Sequence, residues 1–536
     1  MFDSLVGEKH SYDLVVVHPG EQSRIYSDLT DELTAIEPPL WARLIAGYVR
    51  DRSYSVHIID QEAERLSDVQ AAARVFSYRP RLVAIVVYGH QPSASTQQMA
   101  AAGSVAKAIK QITPAKIIML GGHVSALPDR TLTEESIDYA CVGEGPLTIE
   151  GLLGDQVLGE IPGLVWRDSE RNIVINKRAE LLDPKHLNGW VWDKLPMQLY
   201  RSHNWQAFDD LSKRQPYASI YTTLGCKFSC SFCCINAPFG TNAYRMRPVD
   251  SIIQEIKHLY TYYGITTYKI IDEMFVLNPR HYVPLAQTLS ELPFADELNI
   301  WAYARVDTVK EGHLALLRKA GIRWLALGIE SASQYVRDGA DKRYSNSDIT
   351  EVVRAIQKAG INVIANYIFG LPDDGMSSMR HTLRMACDLN TEFVNFYCAQ
   401  AYPGSPLYNQ AVKEGWTLPD SWSGYSQYGY DTRPLDTKYV DGASVLQFRD
   451  EAFDIFFNRP AYLDMIGAKF GNTAVEHIKQ MTKYKLKRSL LEQTYAPDEA
   501  REREQKAKWA HHELEQAQER FCKRFPEAAR IRGYDL

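Results

Sequence analysis

Short apolar runs alternate with amphipathic stretches in the first 150 residues of the chain. The runs are rich in Val and Ile and cover residues 12–17, 54–59, 81–88, 116–120 and 137–142. Between them, apolar residues recur at helical spacing, as in residues 40–52 and 96–111. Buried strands separated by helices are typical of a parallel sheet covered on both faces. The pattern therefore predicts an α/β fold that begins with a doubly wound parallel sheet, similar to a Rossmann sheet.

A second series of strand and helix patterns lies between residues 216 and 415. Its six predicted strands are residues 220–224, 268–272, 299–304, 324–328, 362–369 and 393–401. Helical patterns between them include residues 248–263, 311–320 and 348–359. Because a closed barrel of this kind needs eight such units, six units predict a partial (β/α)6 barrel.

The remaining segments are less regular. Residues 164–176 have the pattern of a β-hairpin that turns at residues 168–172, within a connector rich in Trp and Pro. The chain beyond residue 416 is first rich in Tyr and then mostly helical in pattern. We therefore expect four regions: residues 1–150, a linker with the hairpin at 151–215, the partial barrel at 216–415, and a small helical domain at 416–536.

Composition narrows the class of protein. With 45% hydrophobic and 24% charged residues, the chain is that of an ordinary globular protein. A formal net charge of −6 gives no reason to expect a nucleic-acid partner. We expect no membrane span, since no apolar run approaches the ~18 residues required. The N-terminus lacks the pattern of a signal peptide, so a cytoplasmic location is expected.

The most informative motif is a group of cysteines that follows the first predicted barrel strand. Cys226, Cys230 and Cys233 stand at CxxxCxxC spacing. Three thiolates on one short loop can hold three corners of a cubane iron–sulfur cluster and leave the fourth iron without a protein ligand. An iron with an open position can bind a small molecule as well as transfer electrons. The motif falls where the strands of a parallel barrel end, which is where such folds place their active sites.

Two other interpretations of these cysteines are less favoured. A structural zinc site requires four ligands, usually in two separated pairs, and no second pair of Cys or His follows. Cys234 is adjacent to Cys233 and is expected to point away from it. A disulfide framework is not favoured either, because the other cysteines are scattered singly through a large chain.

The loops that follow the strands of the first sheet contain many glycines. The crevice of a doubly wound sheet lies at these carboxyl ends, and glycines there let a large ligand approach the backbone. No GxGxxG follows the first strand, so a dinucleotide site is not favoured. The candidate contacts are Pro19, Gly20, Gly89, His90, Ser93, Ser95, Gly121, Gly122, His123, Gly143, Glu144 and Gly145.

From residue 10 to 415 the chain resembles the cobalamin-binding radical S-adenosylmethionine (SAM) enzymes. The cysteine motif, with Phe232 just before its third Cys, matches the CxxxCxφC signature of that family. Five later pieces match in order and spacing: residues 272–275, 304–307, 328–331, 367–372 and 402–405. The first sheet is similar to the cobalamin domain of one branch of the family, and Ser93–Ser95 with Gly121-Gly122 resemble the loops around the nucleotide tail.

The chain departs from the cobalamin-domain pattern at one place. No DxHxxG follows the first strand, so the usual lower axial histidine of cobalt is absent at its normal spacing. His18 is the candidate at this position, but a loop histidine with local hydrogen bonds is the favoured interpretation.

The resemblance also implies roles for residues at the barrel mouth. The three cysteines would hold a 4Fe–4S cluster, with Phe232 beside it. Glu330 would contact the ribose or ammonium of SAM, and Arg305 its carboxylate or a neighbouring carboxyl, with structural salt bridges as the alternative. Asp272 and Glu273 would lie beneath the SAM amine or, alternatively, cap the next helix. Ser331, next to Glu330 at the end of the same strand, would be a further cofactor-binding residue, and Gly370 would shape the adenine pocket.

In function, the resemblance implies an enzyme that uses the 4Fe–4S cluster, SAM and cobalamin. The expected reaction is transfer of a methyl group from methylcobalamin to an unactivated carbon, or less often phosphorus, of a small biosynthetic intermediate. The alternatives are ring contraction or oxidative cyclisation without methyl transfer, and a non-catalytic cobalamin sensor. The expected partners are a small-molecule substrate and an external electron donor of the flavodoxin or ferredoxin type.

Overall fold

The computed structural model of the protein describes residues 11–20, 33–88 and 94–495. The first sheet has seven strands in the order β2-β1-β3-β4-β5-β6-β7. Strands β1 to β5 pair in parallel, which confirms the predicted doubly wound sheet. The seven strands are β1 Tyr12–His18, β2 Val56–Asp60, β3 Pro80–Val87, β4 Lys116–Gly121, β5 Tyr139–Cys141, β6 Leu164–Arg167 and β7 Ile173–Ile175.

Helices cover both faces of this sheet, and the strands between them are almost completely buried. The longer helices begin at local sequence signals; for example, Ser67 and Gln70 form a capping box at the start of the helix that follows β2. The helices are α1 Leu40–Arg50, α2 Asp68–Tyr78, α3 Ala94–Gln97, α4 Met99–Ile112, α5 Gly122–Ala126, α6 Pro128–Glu134 and α7 Pro146–Leu153.

The predicted hairpin is present, and it extends the first sheet. Strand β6 pairs antiparallel with β5 and with β7. After the hairpin, the connector runs through short 3-10 turns and buries large aromatic side chains, among them Trp192, Tyr200 and Trp205. The connector is therefore packed between the first sheet and the barrel.

The second sheet contains six parallel strands in the order β15-β14-β13-β12-β11-β8, which confirms the partial barrel. The first barrel strand lies earlier than predicted, because Thr223–Leu224 leave the sheet and pair antiparallel with Arg245–Met246. The strands are β8 Tyr217–Ile220, β9 Thr223–Leu224, β10 Arg245–Met246, β11 Thr267–Ile270, β12 Asn299–Arg305, β13 Ile322–Glu330, β14 Asn362–Phe369 and β15 Phe393–Cys398.

Helices alternate with these strands, and a helical segment follows the barrel. The first C-terminal helix, Gly442–Phe457, packs on β15 and on Met376–Leu389, the helix that precedes β15. The C-terminal part therefore covers one edge of the sheet. In the described ranges, no helix is both long enough and apolar enough to cross a membrane. The barrel helices are α8 Val249–Tyr263, α9 Pro279–Ser290, α10 Glu311–Lys319, α11 Gln334–Gly339, α12 Asn346–Lys358, α13 Met376–Leu389 and α14 Pro406–Glu414. The C-terminal helices are α15 Gly442–Phe457, α16 Pro460–Phe470, α17 Asn472–Met481 and α18 Ser489–Thr494.

Candidate functional site

The loop of residues 225–236, here called the cysteine loop, is fixed where it leaves β9. Gly225 has a φ of 82°, and a Cβ at this residue would lie 2.1 Å from the carbonyl oxygen of Ala243, so only glycine fits. Further along, the Asn236 side chain donates hydrogen bonds to the carbonyl oxygens of Cys226 and Phe228, at 3.3 and 3.4 Å. The loop is therefore fixed by the close approach of Gly225 to Ala243 and by the Asn236 side chain.

Cys226, Cys230 and Cys233 line one cavity of about 250 Å³, here called the cluster cavity. All three are free thiols. Burial raises the pKa of the Cys226 and Cys233 thiols, so iron binding has to displace their protons. The three sulfur ligands at this cavity fit a cubane cluster with one open iron.

The arrangement does not fit a mononuclear metal. Across the described residues, no three His, Cys, Asp or Glu side chains converge on a point where one ion would bind. A structural zinc site needs four converging ligands, whereas the thiolates of a cubane each bind a different iron and so stand apart. Cys234 packs on Tyr402 and Tyr425 while still forming part of the cavity wall.

Arg305, at the end of β12, lies directly beside the cysteine loop. Its Nη1 is 3.6 Å from the Cys230 sulfur, and its guanidinium stacks on the Phe228 ring at 3.8 Å from the centroid. Asp307 holds the guanidinium through two hydrogen bonds of 2.9 and 3.1 Å. The positive charge therefore lies beside the Cys230 sulfur, and the predicted contact of Arg305 with SAM stays a prediction.

Glu330 ends β13 in a left-handed conformation, with a φ of 65°, which is uncommon outside glycine. Its carboxylate forms a buried ion pair with Lys342, and Lys342 lines the cluster cavity. Strained backbone of this kind is concentrated at functional sites. Lys342 was missed in the sequence, because it lies in an irregular segment between two helices and belongs to no motif.

Asp272 and Glu273 are neighbours in sequence but have different surroundings. Asp272 is buried, and it accepts hydrogen bonds from the backbone of Thr222 and from the hydroxyl of Thr223, at 2.6 and 2.9 Å. Glu273 lines the cluster cavity and accepts a hydrogen bond of 3.1 Å from the Gly225 nitrogen. Asp272 thus anchors the strand that leads into the cysteine loop, while Glu273 is available to a ligand. Neither caps the next helix, whose N-cap is Asn278.

The Glu273 carboxyl is expected to make the stability of the ligand-free protein depend on pH. Burial raises its pKa from 4.5 to about 7, so the folded protein keeps a proton that the unfolded chain releases. Stability is therefore lost as the pH rises between these two values. Glu273→Gln should raise the free energy of unfolding by about 3 kcal/mol at pH 8 and by less than about 1 kcal/mol at pH 5. Thermal unfolding at both pH values tests this, with the exposed Glu291→Gln as control; an equal gain at both would contradict it.

Ser331 and Gly370 do not line the cluster cavity. The Ser331 hydroxyl is 3.2 Å from that of Thr382, inside the fold. A Cβ at Gly370 would lie 2.6 Å from a methyl group of Val445, so this glycine is required by the packing of α15. Both residues therefore support the barrel mouth through packing contacts and do not face the cavity. Their predicted contacts with SAM stay predictions.

The opposite wall of the cluster cavity comes from the first sheet. Tyr88, Ser95 and Gly122 lie at the carboxyl ends of β3 and β4, and all three line the cavity with Leu40 and Trp41 of α1. The rings of Trp41 and Tyr88 stack at 4.6 Å. The Ser95 hydroxyl accepts a hydrogen bond of 2.9 Å from the His123 nitrogen, which ties the two loops together. Leu40, Trp41 and Tyr88 were not predicted as site residues, because aromatic and aliphatic residues in such patterns usually belong to the hydrophobic core.

The other candidates at this edge have structural contacts. Glu144 is buried and forms a bidentate ion pair with Arg245 of β10, at 2.6 and 3.2 Å, which joins the first sheet to the barrel. His123 is buried against the Trp422 ring at 4.4 Å. At Gly20, Gly121 and Gly145, neighbouring atoms leave no room for a side chain, whereas the space around Gly143 is nearly empty. Pro19 is buried beside Gly20. Gly89, His90 and Ser93 lie outside the described residues.

His18 does not line the cluster cavity. It is buried at the end of β1, and its Nε2 is 3.4 Å from a carboxylate oxygen of Glu62. This geometry favours the interpretation of His18 as a histidine with local contacts over that of an axial ligand of cobalt.

Gly122 offers a direct test of the wall formed by the first sheet. A Cβ at Gly122 would lie 3.6 Å from Ser95, an ordinary contact, so a larger residue is tolerated by the fold but projects into the cavity. Gly122→Leu should weaken cobalamin binding by about tenfold or more, equivalent to about 1.4 kcal/mol. Spectrophotometric titration measures this, with Gly159→Leu as control because a Cβ there meets no atom within 4 Å. Equal affinity in both variants would exclude Gly122 from the corrinoid site.

Two protein-family models match the chain. The B12 binding domain matches residues 26–153, and the radical SAM superfamily matches residues 220–386. The first match covers β2 to β5 with their loops, and the second includes the cysteine loop, Arg305 and Glu330. The chain is therefore a cobalamin-binding radical SAM enzyme, and its cofactors are cobalamin, a 4Fe–4S cluster and SAM.

Three similar proteins illustrate the range of this class. An uncharacterised methyltransferase of Pyrococcus horikoshii is 26% identical over 432 residues, which are 80% of this chain and 89% of that protein. The anaerobic magnesium-protoporphyrin IX monomethyl ester cyclase of Cereibacter sphaeroides is 24% identical over 445 residues, 81% of this chain and 68% of that protein. The structure of the radical SAM methyltransferase TsrM from Kitasatospora setae, with tryptophan and a SAM analogue bound, matches with a TM-score of 0.64 at 18% identity, over 88% of this chain and 99% of that chain. The structural match shows a common fold.

Proposed function

We propose that this enzyme transfers a methyl group to an unactivated carbon, or less often phosphorus, of a small biosynthetic intermediate. The observation that carries the proposal is the composition of the cluster cavity. The cysteine loop forms one wall, and the cobalamin-domain residues Tyr88, Ser95 and Gly122 form the opposite wall. A substrate held between these walls would face both cofactors at once. Similarity to a methyltransferase of Pyrococcus horikoshii supports the same conclusion.

The residues of the cluster cavity have two roles: some offer polar or charged groups to SAM, and others exclude water. When bound, the cluster with SAM supplies a substrate radical and methylcobalamin supplies the methyl group. Arg305 places a positive charge beside Cys230 for the carboxylate of SAM, and Glu273 offers a carboxyl group to its ammonium, while Lys342 in the same wall is paired with Glu330. Phe228, Phe232, Trp41 and Tyr88 exclude water from the same space, which protects a reactive radical.

The proposal is tested with SAM whose methyl group carries three deuterium atoms. Reconstituted enzyme, cobalamin and a reduced flavodoxin or ferredoxin as electron donor are incubated anaerobically with candidate biosynthetic intermediates. The product should gain one methyl group that retains all three deuterium atoms. S-adenosylhomocysteine and 5′-deoxyadenosine should form in comparable amounts, because one SAM recharges the methyl carrier and another supplies the radical. A changed product without added mass from the label would contradict methyl transfer.

A second candidate is an oxidative cyclisation, as the similarity to the cyclase of Cereibacter sphaeroides indicates. It predicts 5′-deoxyadenosine without S-adenosylhomocysteine, and a product that has lost hydrogen and gained no methyl group. A non-catalytic cobalamin sensor would form neither product. The free cysteines in the cluster cavity argue against a sensor.

A further inference from the structure

Residues 331–345, here called the β13–α12 connection, join the end of β13 to the start of α12 and contain the short helix α11. Glu330 directly precedes the connection, and Lys342, its partner in the buried ion pair, lies within it. Lys342 lines the cluster cavity, and its Nζ is 5.8 Å from the centre of the Phe232 ring of the cysteine loop. The path of the connection therefore decides where the Glu330–Lys342 pair lies relative to the cluster.

Arg337 of α11 is completely buried and holds the two ends of this connection together. Its guanidinium donates to the carbonyl oxygen of Ser331 at 2.5 Å and to that of Tyr344 at 2.8 and 3.2 Å. It also donates to the side-chain oxygens of Gln334 and Asn346, at 2.7 and 2.8 Å. Every N–H of the side chain is therefore used to fix the connection and the first residue of α12.

Two further hydrogen bonds extend this frame to the Glu330–Lys342 pair. The Arg337 carbonyl oxygen accepts a bond of 2.9 Å from the backbone nitrogen of Lys342. The Tyr344 hydroxyl donates to the carbonyl oxygen of Gly328 on β13, at 2.6 Å. Lys342 and the strand that ends in Glu330 are therefore held on one frame, and Arg337 is at its centre.

The buried guanidinium is an expensive way to fill this space. Its acceptors are carbonyl and amide oxygens, and in the described part of the chain no carboxylate forms an ion pair with it. Burying a charge in this way is costly, and an apolar side chain would avoid the cost. What the guanidinium adds is a planar fork that fixes several acceptors at once. Its contribution is therefore the geometry of the connection.

The residue that most needs this geometry is Glu330. Its φ of 65° is unfavourable for a residue with a side chain, and such a conformation persists only where the surrounding structure imposes it. The next residue, Ser331, is the one whose carbonyl oxygen Arg337 binds at 2.5 Å. Arg337 therefore stabilises the backbone turn that directs the Glu330 carboxylate toward Lys342.

We propose that Arg337 is a positioning residue for SAM. By fixing the β13–α12 connection, it holds the Glu330–Lys342 pair at the wall of the cluster cavity, in the place from which Glu330 binds SAM. The proposal builds on the predicted contact of Glu330 with SAM. It does not depend on methyl transfer, because SAM is bound and cleaved in the cyclisation alternative as well.

Binding of SAM to the reconstituted full-length enzyme, measured by equilibrium dialysis without reductant, tests the proposal. Arg337→Lys keeps the charge but cannot bond Ser331 and Tyr344 together, so the dissociation constant of SAM should rise about tenfold. In 5′-deoxyadenosine formation the KM for SAM should rise by the same factor, with kcat within about twofold of wild type. Iron content and cobalamin affinity should be those of wild type.

Arg459→Lys is the matched control, because Arg459 is also buried but lies outside the cluster cavity. It precedes α16 and donates to the Cys387 carbonyl oxygen and the Asn390 side chain, at 3.0 and 2.8 Å. Arg459→Lys should lower the melting temperature but leave SAM affinity unchanged. If Arg337→Lys does not fold, Tyr344→Phe replaces it. That variant removes only the hydroxyl bond to Gly328 and should raise the dissociation constant about threefold.

A double-mutant cycle with Glu330→Gln separates positioning from a general loss of stability. If Arg337 acts through Glu330, Arg337→Lys should add little to the loss of SAM affinity that Glu330→Gln already causes. Independent effects that multiply would overturn the proposal. So would wild-type SAM affinity in folded Arg337→Lys or in its replacement Tyr344→Phe, or an equal loss of affinity in Arg459→Lys. Because SAM binding requires no turnover, the expected pattern without any methylated product would contradict the proposed function and leave this inference standing.

Discussion

Replacing Cys230 by alanine is expected to reduce 5′-deoxyadenosine formation to background and to lower bound iron well below about four per chain. Cys230 is one of three thiols in the cluster cavity and is the one beside the Arg305 guanidinium. With two cysteines left, a second iron loses its protein ligand and the cubane is no longer held. Iron analysis, visible absorbance and SAM cleavage measure the effect together.

Two other cysteine variants calibrate this result. Cys387→Ala, on α13 and outside the cluster cavity, should keep a full cluster and normal SAM cleavage. Cys234→Ala should also keep the cluster, because Cys234 packs on Tyr402 and Tyr425. A Cys230→Ala enzyme with a full cluster and normal cleavage would show that the cysteine loop has been misinterpreted.

The second large effect is expected at Arg43, which locks the first sheet onto the barrel. Arg43 is 1% exposed, and its guanidinium bonds the Ser219 carbonyl at 3.0 Å and the Glu255 carboxylate at 3.3 Å. It also stacks on Trp192 of the connector at 3.6 Å. Arg43→Ala should lower the free energy of unfolding by about 3–5 kcal/mol, because it leaves buried polar groups without their partner.

Arg50→Ala is the matched control, since Arg50 lies on the same helix and also bridges to the connector. Its ion pair with Asp193, at 2.8 Å, is between side chains that are 35% and 56% exposed. Such a pair contributes about 0–1 kcal/mol. Denaturant unfolding of both variants measures the difference, and similar losses would contradict the role of Arg43 as a buried interdomain contact.

The strands of both sheets were predictable because they are continuous apolar runs, and the burial of β1 and β14 follows directly from that pattern. The position of β8 could not be predicted from the sequence. Thr222 and Thr223 directly continue an apolar run, but in the structure both bond to Asp272 and lie outside the sheet. The hairpin was recognised, but its pairing with β5 depends on long-range register that local pattern does not contain.

The candidate site shows the same division. The cysteines were predictable because metal ligation imposes a fixed spacing, and Glu273, Arg305, Ser95 and Gly122 do line the predicted cavity. Motif membership did not separate residues that face the ligand from residues that support the wall, as with Asp272 and Ser331. Lys342 and Tyr88 face the cavity only because the fold brings distant segments together.

The central claim is that one cavity serves both cofactors from opposite walls. The most direct test compares Cys233→Ala with Gly122→Leu in one anaerobic assay that measures cobalamin methylation by SAM and 5′-deoxyadenosine formation separately. We predict that Cys233→Ala loses deoxyadenosine formation but still binds cobalamin. Gly122→Leu should still cleave SAM but lose cobalamin methylation, and both variants should lose methylated product. Undiminished product from either variant would contradict a shared cavity in which both cofactors act on one substrate.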